Sequence, residues 1–184
     1  MALDSYLMKR LFFALILLLP AIGMAQTKYN VTGSSVTYVV KNLGINTGGS
    51  FGALQTASIV FDKQHLDASS IQATVDVKKL DSGIDSRDEH MKGADFFDVE
   101  HYPAITIKSI SFKQKSGNKF VGVFDLTLKA TTKRIEIPFT VTESGNNAVF
   151  QGAFKINRMD YGVGGSTLTL SNDVTVTVNI QSAR

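Results

Sequence analysis

Three adjacent residue types with the means to do acid–base chemistry stand close together at Arg87, Asp88 and His90. A carboxylate two residues from an imidazole could share proton transfer, because histidine titrates near neutrality and a positioned carboxylate can take or give a proton. The local sequence favours a different reading. Arg87 sits beside Asp88 and Glu89 in the first turn of a short helical stretch, where an arginine among acids ties the helix to the rest of the fold by ion pairs and backbone hydrogen bonds. His65, His90 and His101 are not spaced to bring two imidazoles onto one metal. Asp81, Asp85 and Asp88 lack the glycine and closing glutamate of a calcium loop. Gly48-Gly-Ser-Phe-Gly52 has the Gly-x-Ser-x-Gly spacing, but no helical pattern follows it as a nucleophile elbow requires, so a hydrolase nucleophile has little support. Asn157, Arg158 and Asp160 precede Tyr161-Gly162, a position that reads as turn structure.

The elements that would position these groups are strands. Ile71, Ala73, Val75 and Val77 alternate with polar residues, as do Ile135, Ile137, Phe139 and Val141. Phe120 to Leu128, Ala148 to Ile156 and Val174 to Ile180 repeat that period of two, which marks a strand with one buried face. Less regular strands are expected over Ser35–Val40, Ala57–Phe61 and Ala104–Phe112, with a β-bulge near Ser109 where the phase slips between Ile107 and Ile110. The turn residues around Gly117 and Gly145 select tight hairpins. One segment, Asp81 to Asp98, breaks the alternation. Ser86 is expected to cap a short helix there and Gly93 to end it, with Phe96 and Phe97 following. In extended chain those two rings would point opposite ways, so one is expected to face inward. The predicted fold class is all-β: an antiparallel barrel of about eight strands with a short covering helix.

Lys9 and Arg10 precede the apolar run Leu11–Leu19, then Pro20 and the small residues up to Ala25, in the order of a secretory signal peptide. The run is about half of the roughly 20 apolar residues a membrane-spanning helix needs. Cleavage is expected after Ala25, leaving 26–184 as a single domain in the periplasm or outside the cell. The leader carries Asp4, Lys9 and Arg10, so its loss takes the formal net charge of +3 down to +2. The remaining basic residues are scattered among acidic ones, which excludes a nucleic-acid footprint. There is no cysteine, so neither disulfides nor a lipid-modified N-terminal cysteine can operate.

A barrel of this size is either filled by its own side chains or open enough for one ligand. Gly122, Gly152 and Ala148 fall at inward positions among apolar residues, and the chain has no tryptophan. Small inward residues leave room; equally, glycines mark the bends a closed sheet requires. Should a cavity exist, its wall of Phe, Leu, Ile, Val and Met, without inward charge, suits a hydrocarbon chain, with polar contacts confined to the mouth.

Several strings resemble the YceI-like family of polyisoprenoid-binding, lipocalin-like proteins of bacterial envelopes. They are Ser86-Arg-Asp-Glu-His-Met-Lys-Gly-Ala-Asp-Phe-Phe-Asp-Val99 with Glu100 to Ile107 and Ser109, Gly122 to Lys133, Phe154 to Gly162, and Asn42-Leu-Gly44. The resemblance covers Tyr29 to Ile180; Gly44 to Gly52 is richer in glycine than the family's usual strand-turn-strand, although Gly49-Ser-Phe51 is kept. It implies a lipocalin-like barrel around an elongated apolar tunnel, no catalytic step, no cofactor, and an isoprenoid lipid of quinone or polyprenyl phosphate type as ligand. Phe51, Leu54, Met91, Phe96, Phe97, Phe112, Phe124, Phe154 and Tyr161 are the expected tunnel residues, with Arg87, His90 and Arg158 at the head-group end. The expected partners are that lipid and, transiently, a membrane surface, with the chain a monomer or homodimer. The competing expectation is a filled-core envelope protein acting through its surface.

Overall fold

The computed structural model describes residues 27–184; the leader expected over 1–25 lies outside the described residues. Nine strands follow: β1 (Lys28–Asn42), β2 (Ile45–Ser50), β3 (Thr56–Val60), β4 (Ser70–Asp76), β5 (Ala104–Ser116), β6 (Lys119–Leu128), β7 (Thr131–Ser144), β8 (Asn147–Asn157) and β9 (Leu170–Ala183). From β3 to β9 each strand pairs antiparallel with the next. β1 then closes the ring by pairing β9 on one edge and β3 on the other. The result is a closed eight-stranded antiparallel barrel, with β2 as a ninth strand paired to the upper half of β1.

Because β1 pairs β3 only at Lys28 and Tyr29, and β2 only from Thr37 onward, its middle needs other partners. The segment between β2 and β3 supplies them. Phe51 N–H donates to the Val36 carbonyl, Val36 N–H to the Gly52 carbonyl and Leu54 N–H to Ser34 Oγ. Phe51 and Leu54 are thereby turned into the barrel. The β1–β2 turn places Leu43 in the left-handed region (φ 51°). That conformation costs a branched side chain about 1–2 kcal/mol.

The expected bulge is present, as a register shift between Ser109 and Ser111 against β6. Ser109 Oγ accepts from Ile71 N–H at 2.9 Å, so the hydroxyl takes over a donor that the broken ladder leaves on β4. The helix α1 (Asp85–Lys92) ends at Gly93 as expected, but it begins two residues early. Ile84, not Ser86, is the N-cap, without a capping side chain. The polar device is instead Asp88, which accepts from Ser82 N–H at 2.9 Å and from the Ser82 hydroxyl.

Inside, the barrel has two halves. At the end where β1 begins, Phe61 makes edge-on contacts with Phe112, Phe120, Phe139 and Phe150 at centroid distances of 5.1–5.8 Å. Phe124 packs on Phe112 at 5.8 Å. Outside this aromatic plug, Glu143 accepts from Tyr29 Oη at 2.8 Å and Lys63 Nζ at 2.6 Å, and from Arg184. The Lys63 hydrogen bond chiefly holds the Glu143 carboxyl below its ordinary range.

Gly122 belongs to this half. The room it leaves is taken by rings: a Cβ there would lie 2.4 Å from Phe124 Cε2 and 3.1 Å from Phe112 Cδ1. The inward glycine admits aromatic side chains of its own barrel rather than a ligand. Gly122→Ala should therefore overpack the plug by about 1–3 kcal/mol. At this chain length that lowers the melting temperature by about 2–12 °C, and an unchanged calorimetric melt would show that the plug yields freely.

Candidate functional site

Above the plug the barrel is open inside. The cavity measures about 180 Å³ and its wall presents apolar atoms from Val36, Tyr38 and Val40 of β1, Ala73 and Val75 of β4, Ile105 and Ile107 of β5, Leu126 and Leu128 of β6, Phe154 and Ile156 of β8, and Val174, Val176 and Val178 of β9. A buried water needs about 10–15 Å³ and two to four polar partners. The space exceeds the first requirement more than tenfold and the wall fails the second. A void of this size is too large for a packing flaw in a protein interior. Its mark on the wall is visible: Ile107, Phe154, Val174, Val176 and Val178 point inward yet stay half-buried, while plug residues Phe120, Phe124 and Phe150 are fully buried.

The top of the cavity is formed by α1 with its following turn and by the segment after β8. Met91 and both Phe96 and Phe97 line the cavity. The expectation that only one ring could face inward assumed extended chain. Here Phe96 N–H donates to the Gly93 carbonyl and Phe97 N–H to the Met91 carbonyl, a tight turn that lets adjacent rings share one side. Phe51 packs edge-on against Phe97 at 5.6 Å, and Tyr38 Oη donates to Met91 Sδ at 3.8 Å.

Arg158 is the charged group of the wall, and it is only 4% exposed. Inward charge was not expected, because the residue falls in a 3₁₀ turn (Arg158–Tyr161) where strand alternation no longer applies. Its guanidinium meets carbonyl groups of the succeeding loop: Nε donates to Ser171 O at 2.9 Å, Nη1 to Val163 O at 2.8 Å, and Nη2 to Gly165 O at 3.0 Å and Leu170 O at 3.3 Å. Asn172 Oδ1 and Met159 Sδ complete the shell at 3.3 Å each. Among the described residues no carboxylate pairs with it, and burial lowers its pKa. Arg158 thus organises residues 163–172 over the mouth, with its donors already engaged.

The other expected site residues divide. Phe51, Leu54 and Phe154 stand in the cavity wall. Phe112 and Phe124 stand in the plug, beyond the cavity floor, because the bulge and Gly122 turn them toward Phe61. Tyr161 is buried beside Leu126, Leu128 and Val163, behind the wall rather than in it. Its Oη is without a hydrogen-bond partner, and burial raises its pKa. Arg87 donates to Ser82, through Nε to Oγ at 2.8 Å and through Nη2 to the carbonyl, so it fixes the start of α1 and does not reach the cavity. His90 is exposed on α1, its ring 5.0 Å from that of Phe96. Among the described residues no three His, Asp or Glu side chains converge on a metal-sized site. Choosing aromatic residues as the candidate wall left out the aliphatic majority, among them Ile107, Leu126 and Val176. Their inward alternation was the signal that could have found them.

A family model described as the YceI-like domain matches residues 28–182, from the first strand to the last. This chain belongs to the YceI-like family. Among curated relatives, a UPF0312 protein of Vibrio cholerae serotype O1 is 30% identical over 137 residues, covering 71% of this chain and 72% of that protein. A UPF0312 protein of Pectobacterium atrosepticum is 24% identical and covers 87% of each chain. Among solved structures, BcnA of Burkholderia cenocepacia superposes with a TM-score of 0.77 at 28% identity, over 80% of this chain and 95% of that one. A polyisoprenoid binding domain from Saccharophagus degradans shares the fold, with a TM-score of 0.66 at 18% identity over 85% of this chain and 97% of that one.

For this YceI-like chain the arginine makes a specific prediction. Arg158→Met removes the guanidinium donors from the mouth-loop carbonyls, of which the buried Val163 carbonyl costs about 1–3 kcal/mol when left unpaired and the part-buried ones less. The melting temperature should fall by about 4 °C or more. Amide exchange should quicken over residues 163–172 before it does in the plug. Arg158→Lys should restore little, since an ammonium lacks the guanidinium's planar fork. A melt unchanged in both variants would remove the structural role assigned to this group.

Proposed function

We propose that the chain is a non-enzymatic binder and carrier of a long isoprenoid lipid held in the upper half of the barrel. The observation that carries this reading is the cavity itself, too large to be a packing flaw and too apolar to hold ordered water. A hydrocarbon is the occupant that satisfies both. Family membership and the isoprenoid-binding role in the name of the Saccharophagus degradans domain support the same class of ligand.

Chain length follows from the wall. Lining residues on β9 run from Leu170 to Ile180, about 34 Å along a strand, or about 25 Å along the axis of a barrel whose strands tilt by 35–45°. One leaflet of a bilayer's hydrocarbon core is only about 15 Å deep, so the tunnel suits a chain longer than a common acyl tail. A small volume spread over that length is one chain wide. Each buried CH₂ contributes about 0.8 kcal/mol, so affinity should climb with prenyl length until the tunnel is full.

The head-group end favours a neutral terminus. A phosphate seeks two free parallel donors, and those of Arg158 are taken by carbonyls. A quinone or prenol needs none of them. The Lys9–Ala25 leader supports export, so the proposed setting is the cell envelope or its exterior, with the mature chain beginning at Gln26.

Native mass spectrometry of protein purified without detergent should show a prenyl lipid that exchanges with added prenol. Repeated absence of any bound or exchangeable prenyl chain would sink the carrier reading. Val176→Phe, which pushes a ring into the cavity from β9, should reduce uptake roughly tenfold or more while leaving the melt unchanged or raised, as cavity filling does. Normal uptake by that variant would place the ligand elsewhere. Prenol and prenyl phosphate of equal length should differ little in affinity; a preference for the phosphate above roughly tenfold, about 1.4 kcal/mol, would overturn the neutral head group.

A further inference from the structure

The rim beside the cavity mouth carries aliphatic side chains that the fold does not use. Leu43 at the β1–β2 turn is 74% exposed, Ile45 71%, and Leu168 on the facing loop is fully exposed. They belong to one edge of the barrel. Leu43 N–H donates to the Thr169 carbonyl at 2.8 Å, Asn42 pairs with Leu170, and a shallow groove between the two loops is lined by Lys41, Gly44 and Leu168. The edge is continuous with the cavity, because Val40 and Leu170, next to these residues in the chain, stand in the cavity wall.

Leu43 is the informative residue. Three non-glycine residues adopt the left-handed conformation among those described: Leu43, Asp98 and Lys129. Asp98 accepts from His101 Nδ1, and Lys129 Nζ donates to the Gly162 carbonyl at 3.0 Å, so each of those side chains has work within the fold. Leu43 bears the same backbone cost at a turn position that asparagine or glycine fills more readily, and its side chain stays mostly exposed. Its backbone bond to Thr169 could be made by any residue. A side chain that harms the turn and gains nothing in the folded chain takes its stabilisation from outside it.

We infer that Leu43, Ile45 and Leu168 form a tip that inserts into the surface of a lipid bilayer and brings the cavity mouth to the membrane. The inference rests on the carrier reading, because an isoprenoid ligand resides in a bilayer and must leave it without crossing water. Isolated exposed leucines are ordinary, but three grouped at the rim of an apolar tunnel form a patch of the kind that marks a membrane or partner contact. A bilayer fits better than a protein partner, since the exposed residues stand on two separate connections rather than one continuous face, with the basic Lys41 lining the groove beside Leu168. Shallow insertion of aliphatic tips flanked by a basic residue is the pattern of interfacial anchoring.

The test uses phosphatidylethanolamine–phosphatidylglycerol vesicles free of prenyl lipid. The exported chain should float with them, and the variant Leu43→Asn/Ile45→Thr/Leu168→Ser should lose roughly tenfold or more of that binding. None of the three lines the cavity, and asparagine suits the left-handed turn. The variant should therefore melt no lower than the parent and load detergent-dispersed prenol to the same extent, while extracting prenol roughly tenfold more slowly from a second set of the same vesicles doped with prenol. Equal vesicle binding by parent and variant, or none by either, overturns the tip. So does a change of sedimentation from dimer to monomer in the variant, which would make the patch a self-interface. Failure of both proteins to load prenol from detergent, with vesicle binding still lost in the variant, leaves the tip standing and removes the carrier reading.

Discussion

The antiparallel ladder between β1 and β9, from Asn30↔Ala183 to Asn42↔Leu170, joins the first strand of the domain to the last. Apart from the two-residue pairing of β1 with β3, every other pairing joins sequence neighbours and could form in an open meander; with that short contact, this ladder turns the meander into a tube. An open sheet would leave two unpaired edges and solvate both faces. Closure removes the edges and creates an inside, and the register of this ladder decides which residues face it. With Val36 opposite Val178, Tyr38 opposite Val176 and Val40 opposite Val174, the six side chains enter the cavity together. A slip of one residue in either strand would turn its three outward.

An inside lined with apolar residues must normally be packed to be stable, and here only half of it is. The aromatic plug around Phe61 supplies close edge-on contacts, each worth about 0.5–1.5 kcal/mol beyond area burial. The closed ladders hold the upper half around a space with no filling. The stabilising and binding parts of the barrel are therefore spatially separate. Substitutions at the plug register in stability, while substitutions at Ala73, Ile107 or Val176 change the shape of the space. A filled core and an open barrel are opposed readings of one pattern, and each describes one end of this chain.

That separation also explains what was legible in the sequence. Strand positions, the bulge at Ser109 and the end of α1 at Gly93 are local: alternation, phase slip and a helix-ending glycine announce them within a few residues. Whether an inward glycine leaves space is not local. Gly122 reads as an opening along β6, but Phe112 from β5 and Phe124 from two positions along close it, and only their arrangement in three dimensions reveals this. The same reasoning applies to Arg158. Its partners are main-chain carbonyls of Val163, Gly165, Leu170 and Ser171, and a carbonyl has no signature in the residue code. Sequence reasoning seeks a carboxylate for a buried arginine; this one is satisfied by backbone.

A guanidinium so placed costs desolvation, and burial accordingly lowers its pKa. A neutral side chain would offer fewer donors to the carbonyls of Val163, Gly165, Leu170 and Ser171. One planar group with five donors meets them from a single position. The carbonyl dipoles in turn spread and stabilise its charge, so the mouth stays ordered without an ion pair and without exposing a carboxylate to the tunnel. An apolar chain can then pass Arg158 without breaking any of its hydrogen bonds, whereas an anionic head group drawn toward that charge would have to displace a carbonyl for each contact it made. The same constraint that orders the mouth therefore leaves Arg158 with its donors engaged at the edge of the apolar space.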